Sequence, residues 1–300
     1  MADRLHYGGQ AVMEGVMIRG QKTVATAVRR PNGELTIRNK ALSSIYTGWV
    51  RKAPFIRGVI VLLESMVLGI SNLIYSANVA LEEEEEKISG GSIWLILLFS
   101  LVFAVGLFFL SPLFLTKLLD SYISSSLVFH LIEGGIRLAI FLGYLRLISL
   151  LPDIKRVFAY HGAEHKTINA YEDGAPLEAE AIGKYSTAHA RCGTAFLLAV
   201  LIIAILVFAL IGRQAVWLMV LSRVLLLPVI ASLGYEVTQF GARHLKNGFV
   251  RAMMAPGLWL QSLTTREPDD SQVEVAIAAL ESVLASDREA AQASSSPDSL

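Results

Sequence analysis

Residues 160–166 read Tyr-His-Gly-Ala-Glu-His-Lys and combine two imidazoles with a carboxylate. On a helix, His161 and His165 are four residues apart and share one face, and Glu164 lies beside that face. The pattern His-x-x-Glu-His is the inverted zincin motif, in which the histidines bind zinc and the glutamate is the general base. Gly162 counts against it, because glycine weakens a continuous helix by about 1 kcal/mol relative to alanine. The segment predicts a divalent-metal site, with zinc as the expected ion, that activates water for hydrolysis.

A catalytic zinc site needs a third protein ligand and an open position. Three candidates remain open: His189, Cys192 and Glu236, the last of which lies 71 residues beyond the motif. Lys166 or Arg191 is placed to bind an anionic group or to stabilise an oxyanion. The histidines and the cysteine also fit a structural interpretation, in which they pack or bind backbone groups and hold no metal.

The elements that must position this segment are membrane helices. Hydrophobic residues make up 54% of the 300-residue chain and charged residues 17%, and the mean hydropathy is +0.53. This composition is typical of a polytopic membrane protein. The formal net charge is zero, so no global attraction to nucleic acid is expected. The single cysteine excludes an intramolecular disulfide.

Four apolar runs are long enough to cross a bilayer. They cover Ile93–Leu115, Leu127–Leu151, Thr194–Gly212 and Ala215–Gly234. The second run contains Glu133 and Arg137, and the fourth contains Arg223. Charges at membrane depth are costly and normally face protein or a wet cavity.

Lysine and arginine set the expected orientation. Residues 1–92, 152–193 and 235–300 carry eleven, five and five of them, whereas the links 116–126 and 213–214 carry one each. The positive-inside rule therefore predicts that both termini and the 152–193 loop are cytoplasmic. The His-x-x-Glu-His segment would then lie at the cytoplasmic face of a bacterial inner membrane.

Residues 56–81 predict one more apolar helix, with a polar stripe that includes Arg57 and Glu64 and repeats every seven residues. We expect this helix to lie in the interface or to re-enter rather than to cross. Its polar stripe either lines the site or faces water. If the helix crossed, the 152–193 loop would face outwards.

Residues 1–55 predict a glycine-rich segment with a β-hairpin. The hairpin covers 23–37, around an Asn-Gly turn. The first twenty residues hold Gln10, Glu14 and Arg19 among small residues, which favours packed turns or a polar site. Glu14 or Glu64 would reach the metal if this segment folded over it.

The membrane domain is expected to cover 56–285 and to end in an amphipathic helix at 269–285, capped by Asp269 or Asp270. The tail 286–300 is rich in alanine and serine and predicts disorder. The chain is thus expected to be a mainly α polytopic membrane protein. It has about four transmembrane helices, an interfacial or re-entrant helix and a small N-terminal β-hairpin.

Four stretches carry a wider resemblance: 8–17, 160–171, 189–194, and 256–258 with 264–270. In this order they resemble the YqhQ-like family of bacterial multi-pass membrane proteins (domain of unknown function family 1385), from residue 8 to about 285. The family has no known function. The resemblance implies a multi-pass fold and, from a label that the family sometimes carries, a metal-dependent enzyme.

Three functions are compatible with these patterns. The first is a metal-dependent hydrolase-like enzyme at the cytoplasmic membrane face, acting on a lipid-linked molecule or a membrane peptide. The second is a non-catalytic scaffold or assembly partner of other membrane proteins, with a structural histidine cluster. The third is a small transporter built around Glu133, Arg137 and Arg223. The expected partners are membrane lipids and, in the first two cases, membrane proteins or a lipid-linked substrate, but no nucleic acid.

Overall fold

The computed structural model describes residues 7–48, 53, 56–81, 90–212 and 214–295. Within these ranges the chain is mainly helical and has one antiparallel sheet, as predicted. The strands are β1 (Gly8–Val12), β2 (Gly15–Arg19), β3 (Thr23–Arg29) and β4 (Leu35–Ala41). The helices are α1 (Ser44–Thr47), α2 (Ile56–Ala80), α3 (Gly90–Val105), α4 (Ser111–Lys117), α5 (Ser126–Ile148), α6 (Pro152–Asp173), α7 (Ala179–Ile182), α8 (Gly193–Ile211), α9 (Val216–Arg243), α10 (Gly248–Thr264) and α11 (Asp270–Ser295).

Five helical segments among the described residues are long and apolar enough to cross a membrane. They are Ile56–Ala80, Ile93–Lys117, Ser126–Ile148, Gly193–Ile211 and Trp217–Arg243. The last four coincide with the predicted apolar runs, and the first is the predicted helix at 56–81. The second segment is α3 and α4 joined through a π-helical turn at Gly106–Leu110. These helices are compatible with a multi-pass membrane protein.

A buried charge cluster fastens three of these helices. Glu133 on α5 accepts hydrogen bonds from Arg137, at 2.7 Å, and from Arg223 on α9, at 2.6 and 2.7 Å. Arg137 also donates to the carbonyl oxygen of Phe108 at 3.0 Å, inside the π-helical turn. Such charges are tolerated in apolar surroundings only when they are paired. The three charged residues on which the transporter hypothesis rests therefore form bonds that connect the helices.

The sheet runs in the order β1-β2-β3-β4. The β3–β4 hairpin confirms the hairpin predicted at 23–37, and Gly33 has the positive φ of 88° that its turn requires. The preceding residues, expected to be packed turns, instead form the β1–β2 hairpin. Their glycines interrupt the alternation of apolar and polar side chains by which a strand is recognised in a sequence. The close packing of the neighbouring strand nevertheless requires a glycine. A Cβ on Gly15 would lie 2.3 Å from the carbonyl oxygen of Ala27.

Helices α6 and α11 cover one face of the sheet. Their shared core includes Ile18 and Ala25 of the sheet, Tyr160 of α6, and Ala276 and Leu280 of α11. This face is a conventional apolar core, of the kind found in water-soluble domains.

Helix α11 continues ten residues past its predicted end, so residues 286–295 are helical where disorder was expected. The extension is tied down by Asp287, which accepts the backbone N–H groups of Gln21 and Lys22 at 2.7 and 3.0 Å. A sequence pattern cannot reveal a contact across 266 residues. Residues 296–300 of the predicted tail lie outside the described residues.

Helix α2 covers the other face of the sheet. Leu68 packs among Val12, Met17, Val24 and Val28. Polar contacts reinforce this packing: Arg19 pairs with Glu64 at 3.0 Å, and Thr26 donates to Asn72 at 2.9 Å. The polar stripe of α2 thus faces protein from Glu64 onwards.

The first turn of α11 offers a test of local stability. Asp269 accepts from the backbone N–H of Gln272 at 2.9 Å, while Gln272 accepts from the N–H of Asp269 at 3.0 Å, which is a reciprocal cap. Asp269→Ala should lower the free energy of unfolding by about 1 kcal/mol. Thermal unfolding of the purified protein in detergent would measure this loss. Asp270→Ala is the matched control and should have a smaller effect.

The same cap predicts a pH dependence. The hydrogen bond from Ser271 is the main cause that holds the pKa of Asp269 below its ordinary value. The stabilisation is therefore present above an ordinary carboxyl pKa of about 4 and is lost as the pH falls through the lowered value. The difference in unfolding midpoint between wild type and Asp269→Ala should shrink in that acidic range. A difference that stays constant with pH would contradict the capping role.

Candidate metal centre

Helix α6 carries the His-x-x-Glu-His motif and continues without a break through Gly162. A Cβ at this position would lie 2.0 Å from the carbonyl oxygen of Arg266. Glycine therefore lets the segment between α10 and α11 lie directly on α6, where the backbone N–H of Arg266 also donates to the carbonyl oxygen of Phe158 at 2.9 Å. This close approach outweighs the low helix propensity of glycine.

Two backbone carbonyls orient the two histidines. Nδ1 of His161 lies 2.9 Å from the oxygen of Thr264, and Nδ1 of His165 lies 2.6 Å from the oxygen of Thr187. Because a carbonyl oxygen only accepts, each Nδ1 must carry the hydrogen. Both Nε2 atoms then keep their lone pairs, and the two ring centroids are 4.3 Å apart. An Nδ1–H bonded to a carbonyl is the usual support of a histidine that binds a metal through Nε2.

Cys192 completes a three-donor group. It is the N-cap residue of α8, and its buried Sγ lies 3.3 Å from Nε2 of His161. One donor atom from each of His161, His165 and Cys192 lies within 4.8 Å of the others. Ligand atoms around a tetrahedral zinc ion are roughly 3–4 Å apart. The donor set therefore fits a divalent ion such as Zn²⁺ after a small contraction. Of the three third-ligand candidates, Cys192 is the one in this group.

Glu164 lies next to the three donors and is buried. Its Oε1 accepts the backbone N–H of Gly9 on β1 at 2.9 Å. Its Oε2 lies 3.4 Å from Nε2 of His165. Since that nitrogen carries a lone pair, the two atoms repel each other unless a proton or a cation lies nearby. The contact is a second feature that favours a positive charge at this point.

The donors open onto a small, largely enclosed cavity of about 50 Å³. Its lining consists of Gly8, Gly9, His161, Glu164, His165, His189, Arg191, Cys192 and Gly193. On this measure of volume, one water molecule needs about 10–15 Å³. The cavity therefore has room for an ion with a few waters, and a larger molecule needs a movement of β1 or of the 186–192 loop.

His189 and Arg191 also line the cavity, but both face a carboxylate. Glu172 forms an ion pair with Arg191, and its Oε1 lies 3.7 Å from Nε2 of His189. Burial acts to raise the pKa of Glu172, yet the His189 hydrogen bond and the charge of Arg191 hold it below its ordinary value. Gln261 fixes the His189 backbone through bonds of 2.8 and 2.9 Å. His189 supports the centre, with its ring 5.6 Å from that of His165.

Two candidate residues point elsewhere, and their predicted roles need correction. Both carboxylate oxygens of Glu236 accept from Arg57, so this residue joins α9 to α2 and does not line the cavity. Lys166 donates to the carbonyl oxygen of Gly183 at 2.7 Å and pairs with Glu267. It leaves α6 on a side away from the three donors, because successive helix positions are about 100° apart.

The polar residues of the N-terminal segment have structural contacts outside the cavity lining. Gln10 packs against the backbone of Gly69. Glu14 pairs with Arg156 of α6 and accepts from the hydroxyl of Tyr160 at 3.3 Å. Arg19 and Glu64 pair with each other, as described above. Neither Glu14 nor Glu64 is therefore available as a metal ligand in this arrangement.

Sequence patterns missed the backbone groups that shape the centre. Gly9 supplies the N–H to Glu164, and Thr187 and Thr264 supply the carbonyls to the histidines. Gly9 and Thr264 lie within the stretches that carry the family resemblance, which is the signal that could have drawn attention to them. Backbone groups have no residue-type signature, so motif spacing does not reveal their role.

The fit of Gly162 gives a direct test of how the centre is built. Gly162→Ala should push the Arg266 backbone away from α6 and lower the free energy of unfolding by about 1–3 kcal/mol. Gly143→Ala on α5 is the control, because a Cβ there meets no atom within 4 Å. The control should be neutral or slightly stabilising. Equal unfolding midpoints for the two variants would contradict the close approach.

The comparisons with known proteins agree on one family. The model of the family described as "Protein of unknown function (DUF1385)" matches residues 53–286. The uncharacterized protein YqhQ of Bacillus subtilis (strain 168) is 38% identical over 297 residues, which cover 93% of this chain and 92% of that protein. No solved structure matches the chain at a significant level. With its glycine-rich strand, its histidine helix and its Cys192 loop in the expected order, the chain belongs to the DUF1385 family.

Proposed function

We propose that this protein is a metal-dependent, hydrolase-like enzyme of the cell membrane. One observation carries the proposal: a ring nitrogen of His161, a ring nitrogen of His165 and Sγ of Cys192 lie within 4.8 Å of one another, beside the Glu164 carboxylate. Three protein ligands and one open position are typical of catalytic rather than structural zinc sites. A divalent ion held there would supply a Lewis acid that polarises a carbonyl or phosphoryl oxygen.

Glu164 is the best-placed proton acceptor of the chain's own residues at the centre. It is 3% exposed and lines the cavity with one oxygen turned towards His165. The N–H of Gly9 fixes the other oxygen, so the carboxylate is oriented before any substrate arrives. Arg191 lies on the same wall and can contact an anionic group of a substrate. Lys166 has no part in this arrangement.

The substrate class follows from the surroundings of the centre. The cavity is too small for a whole substrate. Its wall includes Gly8 and Gly9 of β1, which is an edge strand of the sheet. Helix α8, which begins at the Cys192 cap, is apolar enough to cross a membrane. A lipid-linked molecule or a membrane peptide would reach the centre from this side. Movement of the 186–192 loop or of β1 would admit it.

Metal content tests the donor set directly. The purified protein, loaded with zinc and dialysed, should retain about one ion per chain. The double variant His161→Ala/His165→Ala and the single variant Cys192→Ser should lose it. His244→Ala is the matched control, because this exposed histidine lies outside the cluster and stacks on Phe240. Elemental analysis by mass spectrometry gives the ratio, and equal zinc in all variants would contradict the proposal.

Cobalt substitution separates a catalytic from a structural ion. A cobalt-loaded protein should show thiolate-to-metal absorption that disappears in Cys192→Ser. Acetohydroxamate should change the visible spectrum if one coordination position is open. An unchanged spectrum would favour the second candidate function, a non-catalytic scaffold or assembly partner with a closed structural site.

The scaffold function has its own supporting observation. Each donor also joins separate elements: His161 contacts the end of α10, His165 contacts the loop before α8, and Cys192 caps α8. The cluster would hold these elements together with or without turnover. In that case the loss of the ion should lower the unfolding midpoint. The wild-type protein with its ion should have no hydrolytic activity.

We further propose four membrane crossings, with both termini and the metal centre on the cytoplasmic side. The sheet contacts α6, and α6 contacts α11, so these elements lie on one side of the membrane. An even number of crossings must therefore separate the sheet from α6. Of the three candidates in between, α2 packs along the sheet from Glu64 to Val79 and is the one that stays in the interface. The excess of lysine and arginine on this side sets the orientation.

Cysteine labelling tests this arrangement. On a Cys192→Ser background, Asn32→Cys, Ala175→Cys and Ala290→Cys should resist a membrane-impermeant maleimide added outside intact cells. Ser121→Cys, in the exposed link before α5, should react and serves as the positive control. Labelling of position 175 from outside would move the metal centre across the membrane and contradict the topology.

A further inference from the structure

We propose that a basic groove at the junction of α5 and α6 binds the phosphate-bearing headgroup of an anionic phospholipid. The groove has a volume of about 670 Å³ and lies open to the surroundings. It is lined by Arg146, Leu150, Pro152, Lys155, Arg156, Ala159, Arg266, Glu267, Asp269 and Gln272. The inference does not depend on a metal at the neighbouring centre.

Three of the four cations in the groove have no side-chain partner among the described residues. Arg156 pairs with Glu14. In contrast, the side chains of Arg146, Lys155 and Arg266 make no hydrogen bond or ion pair with any described residue. Three cations with unused donors on one surface attract a group with several acceptor oxygens, and a phosphate diester provides them.

The acidic residues of the groove are already engaged. Glu267 pairs with Lys166, and Asp269 caps α11 through the N–H of Gln272 and also accepts from the hydroxyl of Ser271 at 2.6 Å. Their hydrogen-bonding capacity is directed away from an incoming anion. The charge of Arg156 is matched by Glu14, and that of Glu267 by Lys166. Three cations then remain against the carboxylate of Asp269, and the groove keeps a net positive field.

The position of the groove favours a lipid over a soluble phosphate. Arg146 lies in the last turn of α5, a helix long enough to cross a membrane, and α6 begins four residues after α5 ends. Leu147, Leu150 and Leu151 are 66%, 51% and 53% exposed beside the cations. A row of exposed leucines next to basic side chains matches the chemistry of a phospholipid, with acyl chains on the leucines and the headgroup on the cations.

Lipid titration of the full chain tests the proposal. The protein is delipidated in an uncharged detergent and titrated with short-chain phosphatidylglycerol, with phosphatidylcholine or with inorganic phosphate. Phosphatidylglycerol should bind most tightly and raise the unfolding midpoint. The triple variant Arg146→Gln/Lys155→Gln/Arg266→Gln should bind it more weakly, by about fivefold for each removed charge. Native mass spectrometry should also show less co-purified anionic lipid.

A charge-matched variant controls for the change in net charge. Lys40→Gln/Lys184→Gln/Arg288→Gln removes three exposed cations outside the groove lining and should bind phosphatidylglycerol like the wild type. If the triple groove variant unfolds, Lys155→Gln alone should still show the fivefold loss. Equal affinity in the groove and control variants would overturn the proposal. So would equal binding of phosphatidylcholine, or displacement of the lipid by inorganic phosphate.

Discussion

The close approach of two backbone segments at Gly162 is the constraint on which the rest of the centre depends. Because this position has no Cβ, the Thr264–Arg266 backbone can rest on α6 and present a carbonyl to His161. The same contact sets where α11 starts, and α11 in turn covers the sheet. A single methyl group would separate the elements that support the ligands from the helix that bears them. The positions of the motif side chains therefore depend on this contact.

Helices α2, α6 and α10 link two parts of the protein that have different surfaces. The sheet, α6 and α11 share an apolar core like that of a water-soluble domain, while α5, α8 and α9 expose leucine, isoleucine and valine outwards. Paired charges hold the two parts together: Arg19 with Glu64, and Arg57 with Glu236. In the apolar part, Glu133 pairs with two arginines and so links α5 to α9. Charge pairs thus act both between the two parts and within the apolar one.

Much of the fold followed from local patterns. The apolar runs, the Asn-Gly hairpin, the amphipathic start of α11 and the shared face of His161 and His165 were all predicted, because each depends on neighbours within a few residues. The extension of α11 and the partner of Glu236 were not, because each depends on contacts more than a hundred residues away. The β1–β2 hairpin was missed although it is local, because its glycines interrupt the alternation of apolar and polar residues. For the third donor the pattern left three choices, and only the tertiary structure brings Cys192, at the start of α8, to His161.

The hydrogen bonds between Asp287 and the β2–β3 turn have a consequence for biosynthesis. The β2–β3 turn is synthesised 265 residues before Asp287 of α11, the helix that covers the apolar face of the sheet. The five apolar helical segments are synthesised during this interval. Until α11 arrives, the sheet offers bare apolar surface and an unpaired edge, the features that promote aggregation of nascent chains. Truncation of α11 would leave this face of the sheet without one of the two helices that cover it, and exposed apolar surface of this kind is a target for chaperones and proteases.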